Sequence, residues 1–284
     1  MSNPNLVSTG WLAERLGDPD VIAVDGSWYL PDANRDGPAE FLERHIPGAV
    51  FFDINVVADV SSGLPHMLPS PDAFSEAVGK LGVADRATIV AYDGAGLFSA
   101  ARVWWTFRTM GATKVFVLDG GLPKWLAEGR PVESGPSNRA PQSFHATFDA
   151  HAVKSADDVA QALGAGSAQI VDARPAARFR GEAPEPRPGL ASGHIPGSLN
   201  LPFQQIVGAD GRLAEEAELR RAFEAAGIDV SRPIVTSCGS GVSASIVALA
   251  LESLGAKADG VYDGSWAEWG AGGRPVATGP AEKS

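Results

Sequence analysis

The stretch PIVTSCGSGVSASIVALAL, residues 233–251, carries one apolar run into a glycine-rich turn and out again into a second apolar run. The first run, Pro233 to Ser237, is short, rich in β-branched residues and without apolar/polar alternation, which reads as a strand covered on both faces. The second, Val242 to Leu254, is too long for such a strand and reads as a buried helix. Between them lies Cys238, the only cysteine in 284 residues. A strand that passes through a tight turn into a helix is the unit of a parallel α/β sheet, and ligands of such sheets bind beyond the carboxyl ends of the strands. Cys238 falls at one of those ends.

The same unit recurs elsewhere in the chain. Ala87 to Gly96 (ATIVAYDGAG) matches Arg232 to Gly241 (RPIVTSCGSG), and Arg44-His45-Ile46-Pro47-Gly48 matches Gly193-His194-Ile195-Pro196-Gly197. Asp119-Gly120-Gly121 with Trp125 and Gly129-Arg130-Pro131-Val132 matches Asp263-Gly264-Ser265 with Trp269 and Gly273-Arg274-Pro275-Val276. Matched blocks in the same order mean two homologous domains. The reading assigns 1–135 to the first domain and 151–284 to the second. The polar, Gly/Pro/Ser-containing segment 136–150 is read as the linker. Within the second domain, Ala168 to Asp172 and Ala258 to Tyr262 read as further strands and Glu215 to Ala226 as an amphipathic helix. Each domain is thus expected to be a mostly parallel sheet flanked by helices.

The bulk figures exclude several classes. A formal charge of −11 disfavours a nucleic-acid partner, which needs a clustered basic face. Apolar runs too short to span a bilayer give no membrane role. The N-terminus lacks a basic segment followed by an apolar core, and a single cysteine allows no internal disulfide, so a reducing cytoplasm is expected. No His/Cys cluster has metal-ligand spacing and the glycine turn lacks the Lys-Ser/Thr of a phosphate-binding loop, so neither metal nor nucleotide cofactor is expected.

A lone cysteine is more often a small buried hydrophobe than a reagent. Here its neighbours are glycines and serines, a poor wall for a core residue, and its position at a strand-to-helix turn is a site position. The amides of Gly239, Gly241, Val242 and Ser243 converge there with a helix N-terminus, a cradle that favours a thiolate. Gly239 and Gly241 are expected to supply left-handed conformations. In the first domain the matching residue is Asp93, which cannot act as a thiol nucleophile, so the chemistry is assigned to the second. A phosphatase would need an arginine six residues after the cysteine; Ala244 stands there instead.

Taken together, the chain resembles the tandem-domain rhodanese-like sulfurtransferases. The resemblance rests on Cys238-Gly239-Ser240-Gly241-Val242-Ser243-Ala244, Asp172-Ala173-Arg174 and Arg178-Phe179-Arg180-Gly181. It also rests on Pro184-Glu185-Pro186-Arg187, both His-Ile-Pro-Gly segments, Arg102-Val103-Trp104-Trp105 and Asp263-Gly264-Ser265-Trp266. It implies two rhodanese-like α/β domains and a Cys238 that takes sulfur from a small-molecule donor, becomes a persulfide and hands sulfur to a thiol, thioredoxin or cyanide. It further implies that Arg178 and Arg187 grip the carboxylate and keto oxygen of 3-mercaptopyruvate while Ser240 and His66 move protons. The family pattern adds an acidic residue to that relay where this chain has Asn55; Asp53 is the nearby carboxylate that could stand in for it.

The neutral loop residues Gly239 and Ser240 favour a 2-oxo acid over the thiosulfate dianion, and a planar guanidinium suits its carboxylate. Arg187 lies in a proline-stiffened loop that lowers the cost of ordering it. His45 and His194, present in both halves, are expected to hold turns, and Trp104, Trp105, Trp125, Trp266 and Trp269 to serve the core or a domain interface. Thiosulfate transfer and a non-catalytic binding module remain the alternatives at this stage.

Overall fold

The protein is described here by a computed structural model covering residues 3–256 and 258–281. It forms two compact units. One contains the chain up to Val60, Leu68–Asp149 and Ala209–Leu213; the other contains Ser61–Met67, Ala150–Gly208 and the chain from Ala214 onward.

In the first unit, β1 (Leu6–Val7), β2 (Val21–Asp25), β3 (Val50–Phe51), β4 (Thr88–Tyr92) and β5 (Val115–Leu118) form a five-stranded sheet in the order β1-β5-β4-β2-β3. Each pairing is parallel. In the second, β6 (Val153–Lys154), β7 (Gln169–Asp172), β8 (Leu199–Asn200), β9 (Ile234–Ser237) and β10 (Gly260–Tyr262) repeat that pattern as β6-β10-β9-β7-β8, again all parallel. Because the two orders correspond strand for strand, the sequence repeat is a repeat of topology.

Every residue of β9 is buried, as its unbroken apolar run requires of a strand packed on both faces. The helix that follows spans Ala244–Ser253 and is buried from Ala244 to Leu251. It starts two residues later than the apolar run suggests, because Val242 and Ser243 belong to the turn. The expected amphipathic helix spans Glu216–Ala225, with Glu215 and Ala226 at its caps and Leu219 and Phe223 inward. Register decides what meets at the sheet's end: Asp172 of β7 pairs with Ser237 of β9, which brings the segments after both strands to one place.

Residues 136–149 pack as part of the first unit, and Ala150 belongs to the second. Phe144 lies edge-on to Phe74 and Phe107, the Gln142 amide donates to the Gly79 carbonyl and the Asp149 amide to that of Thr109. One aromatic anchor among polar residues leaves no periodic signal, which is why the sequence shows only a linker.

The two His-Ile-Pro-Gly turns are built alike. His45 stacks on Phe41 with Nδ1 2.7 Å from the Phe41 carbonyl, and His194 stacks on Phe179 with Nδ1 2.8 Å from the Phe179 carbonyl. Both histidines are buried and hold turns. Trp125 lies in the core of the first unit, Trp266 and Trp269 in that of the second.

Candidate active site

At the carboxyl end of β9 the chain enters the loop from Cys238 to Ser243, and Cys238 is buried. A single hydroxyl ties the loop down. Ser265 Oγ accepts from the amides of Cys238 and Gly241, each at 3.1 Å, and donates to the Tyr262 carbonyl at 2.8 Å. The Trp266 and Ala267 amides then hold the carbonyls of Cys238 and Gly239. Ser265 does this from a φ of +48°, a left-handed conformation that a side chain normally avoids. At the matching Gly121 of the first domain φ is +54°, and a Cβ would meet the Asp93 and Gly96 carbonyl oxygens at 2.6 Å. The replacement of glycine by serine inside a repeated turn is the sequence signal that marks this residue.

The two loop glycines differ in purpose. Gly241 takes the expected left-handed conformation, φ +75°. Gly239 does not: its missing side chain leaves room instead. A Cβ there would lie 3.3 Å from Arg178 Nη2 and 3.9 Å from Arg187 Nη1, so both guanidinium groups lie close to the backbone next to Cys238.

Those two cations are held differently. Arg178 donates through Nε and Nη2 to the two carboxylate oxygens of Glu185. Glu185 also accepts from Arg174 Nη1 at 2.8 Å, and its side chain is 2% exposed. Arg174, which composition would place at the surface, is buried. It is clamped by Asp172, with Nη2 to Oδ2 at 2.6 Å, and lies over the Trp266 ring. Arg180 is the exposed member of the group and pairs with Glu182. Arg187 donates to Ser240 Oγ at 3.4 Å. Burial lowers its pKa from the ordinary arginine value, opposed by the neighbouring Cys238.

His66 belongs to the same unit, through the segment Ser61–Met67. It is buried, has φ +62°, and places Nδ1 3.1 Å from Ser240 Oγ. The Ser240 hydroxyl therefore stands between a guanidinium donor and an imidazole nitrogen, a geometry suited to moving a proton. Val242 and Ser243 are buried in the loop. Asn55 and Asp53 lie in the first unit, where Asp53 Oδ1 accepts the amide of Asn55.

The first domain shows what such a loop does with an anion. Asp93, fully buried, binds the amides of Ala95, Phe98 and Ala100 at 2.7–2.8 Å. Positions 240 and 243 in the second domain correspond to Ala95 and Phe98.

The family model for the rhodanese-like domain matches residues 8–128 and 155–271. The chain belongs to the rhodanese-like family. It is 46% identical to the 3-mercaptopyruvate sulfurtransferase of Rattus norvegicus over 93% of this chain and 91% of that protein. It is 44% identical to the thiosulfate sulfurtransferase of Bos taurus over the same shares. The crystal structure of SseA from Escherichia coli, described as a 3-mercaptopyruvate sulfotransferase with the rhodanese fold, superposes with a TM-score of 0.85. Its identity is 42%, over 92% of this chain and 98% of that one. This rhodanese-like protein has, among its described residues, no helix long and apolar enough to cross a membrane.

Proposed function

We propose that this protein transfers sulfur from 3-mercaptopyruvate through a persulfide on Cys238 to a thiol, thioredoxin or cyanide acceptor, releasing pyruvate. The observation that carries the reading is the convergence of Arg178 and Arg187 on the backbone at Gly239, beside the only thiol. A planar carboxylate next to a keto oxygen matches two guanidinium groups, and its sulfur-bearing carbon then lies towards Cys238.

In the step, the Cys238 thiolate attacks the donor sulfur and an S–S bond forms as the C–S bond breaks. The bonding pair passes to carbon as the enolate of pyruvate, and a proton delivered to that carbon completes the product. The Ser240 hydroxyl and His66 supply the proton path, while the arginines and the loop amides hold developing negative charge. An acceptor thiolate or cyanide then attacks the outer sulfur and regenerates the Cys238 thiolate. Asp93 on its three amides supports the same use of the loop for an anion in the second domain. The single cysteine fits a reducing compartment such as the cytoplasm.

Steady-state pyruvate and thiocyanate formation, with cyanide as acceptor and the two donors at matched concentration, tests the assignment. Mercaptopyruvate is expected to lead thiosulfate by orders of magnitude and Cys238→Ser to abolish transfer while the protein stays folded. A lead for thiosulfate overturns the donor, and turnover by Cys238→Ser overturns the nucleophile.

A further inference from the structure

Glu185 sits between Pro184 and Pro186 in a loop, yet its carboxylate is almost wholly buried and shared by two arginines. A carboxylate is withdrawn from water at such cost only when paired, so each of its contacts matters to the site around it. Its partners divide the local charge unequally. Asp172 and Arg174 cancel through a forked pair, and Glu185 cancels Arg178 through another. Of the three guanidinium groups, only Arg187 has no carboxylate within ion-pair distance among the described residues, and it faces Ser240. The cationic side chains at the donor site therefore offer one uncompensated positive charge, although three arginines stand there.

Resting on the sulfur-transfer reading above, we propose that Glu185 is a positioning residue that sets donor selectivity. It fixes Arg178 as an oriented hydrogen-bond donor while removing its net charge, so that the site suits a monoanionic 2-oxo acid and disfavours a compact dianion. One positive charge balances the carboxylate of a monoanion. A dianion is left with a negative charge uncompensated beside a thiolate, in surroundings where a charge a few ångströms away changes affinity by roughly tenfold to a hundredfold. Without Glu185, Arg178 becomes a second net cation and the preference shifts towards the dianion. Orientation is the other half of the role, since Arg178 is held through both Nε and Nη2 and its fork cannot turn freely.

The test uses the full chain with cyanide as acceptor. It compares the ratio of kcat/KM for thiosulfate to that for mercaptopyruvate in wild type, Glu185→Gln, Glu185→Asp, Arg178→Gln and the Glu185→Gln/Arg178→Gln double variant. Glu185→Gln should raise the ratio by roughly tenfold or more, chiefly through KM for thiosulfate. Glu185→Asp, which keeps the charge, should stay near the wild-type ratio. Arg178→Gln should weaken binding of the dianion, read as a higher KM for thiosulfate and weaker sulfate inhibition, and the double variant should return both towards wild type. Competitive inhibition by sulfate, a dianion that does not react, should strengthen in Glu185→Gln. If Glu185→Gln does not fold, the opposite shift in Arg178→Gln and the retained ratio in Glu185→Asp still decide the matter. A residue that only packs would lower both donors together, and an unchanged ratio in Glu185→Gln, with unchanged sulfate inhibition in Arg178→Gln, overturns the proposal. A wild type that prefers thiosulfate from the start overturns the donor assignment itself, which separates the two failures.

Discussion

Nδ1 of His66 lies 3.1 Å from Oγ of Ser240, although 174 residues separate them in the chain. His66 is held there in a left-handed backbone conformation, and strain of that kind persists where the surrounding structure over-determines it. Under the proposed mechanism the two share one proton path and should not behave independently. His66→Ala and Ser240→Ala should each lower kcat for mercaptopyruvate by about a hundredfold, and the double variant by little more than either alone. A double-variant cycle on kcat checks this, and strictly multiplicative losses would separate the two roles.

Under the proposed function Arg187, which faces Ser240 without a carboxylate partner among the described residues, holds the donor's carboxylate. Arg187→Ala is expected to cut kcat/KM for mercaptopyruvate by about a hundredfold, with a smaller loss for thiosulfate. Arg187→Lys should recover little of it, because an ammonium cannot reproduce a planar fork. The comparison of three proteins with two donors suffices, and equal losses with both donors would count against the carboxylate contact.

Ser265 offers a test of the loop's construction. Removing its hydroxyl leaves two buried amides, of Cys238 and Gly241, without their acceptor, at a cost of about 1–3 kcal/mol each. Ser265→Ala should lower Tm by several degrees and slow alkylation of Cys238 as the loop loses its fixed shape. Ser265→Gly relieves the positive φ, so it should recover part of the stability but not the activity. Parallel recovery of both would show that strain, not the hydroxyl, matters.

Asp25 is the first-domain counterpart of Asp172, but Ser27 stands where Arg174 would neutralise it. Burial pushes its carboxyl up to about 6, against the hydrogen bonds that it accepts from Ser27. The folded state therefore binds the proton more tightly than the unfolded chain does. Its contribution to stability is present at low pH and is lost as pH rises from about 4 through about 6. Asp25→Asn should be close to neutral at pH 4 and more stable than wild type at pH 8 by on the order of 3 kcal/mol. Denaturant midpoints at the two pH values measure it, and a variant no more stable at pH 8 refutes the charge at Asp25 as the cause.

The repeat, the parallel sheets and the loop around Cys238 could be read in the sequence because each rests on local patterns: apolar runs, glycine turns and matched blocks. Arg178 and Arg187 were visible as residues of the right type in one short segment. What local patterns could not show was pairing. The sharing of Glu185 by Arg174 and Arg178 depends on how the proline loop folds back, and Arg174 reads as a surface residue until its partners are known. Gly239 reads as a left-handed turn residue, yet its φ is not positive and its open side lies close to two guanidinium groups. Phe144 looks like any aromatic in a polar linker until Phe74 and Phe107 are placed around it.

The Asp93 carboxylate, seated on three amides, is an anion that can never diffuse away. Its effective concentration is that of a group attached to its own binding site, which a dissolved competitor can hardly match. The first domain is in this sense a sister site supplied with its own inhibitor. Anionic inhibitors directed at the cysteine loop should accordingly saturate at one molecule per chain, despite the duplication.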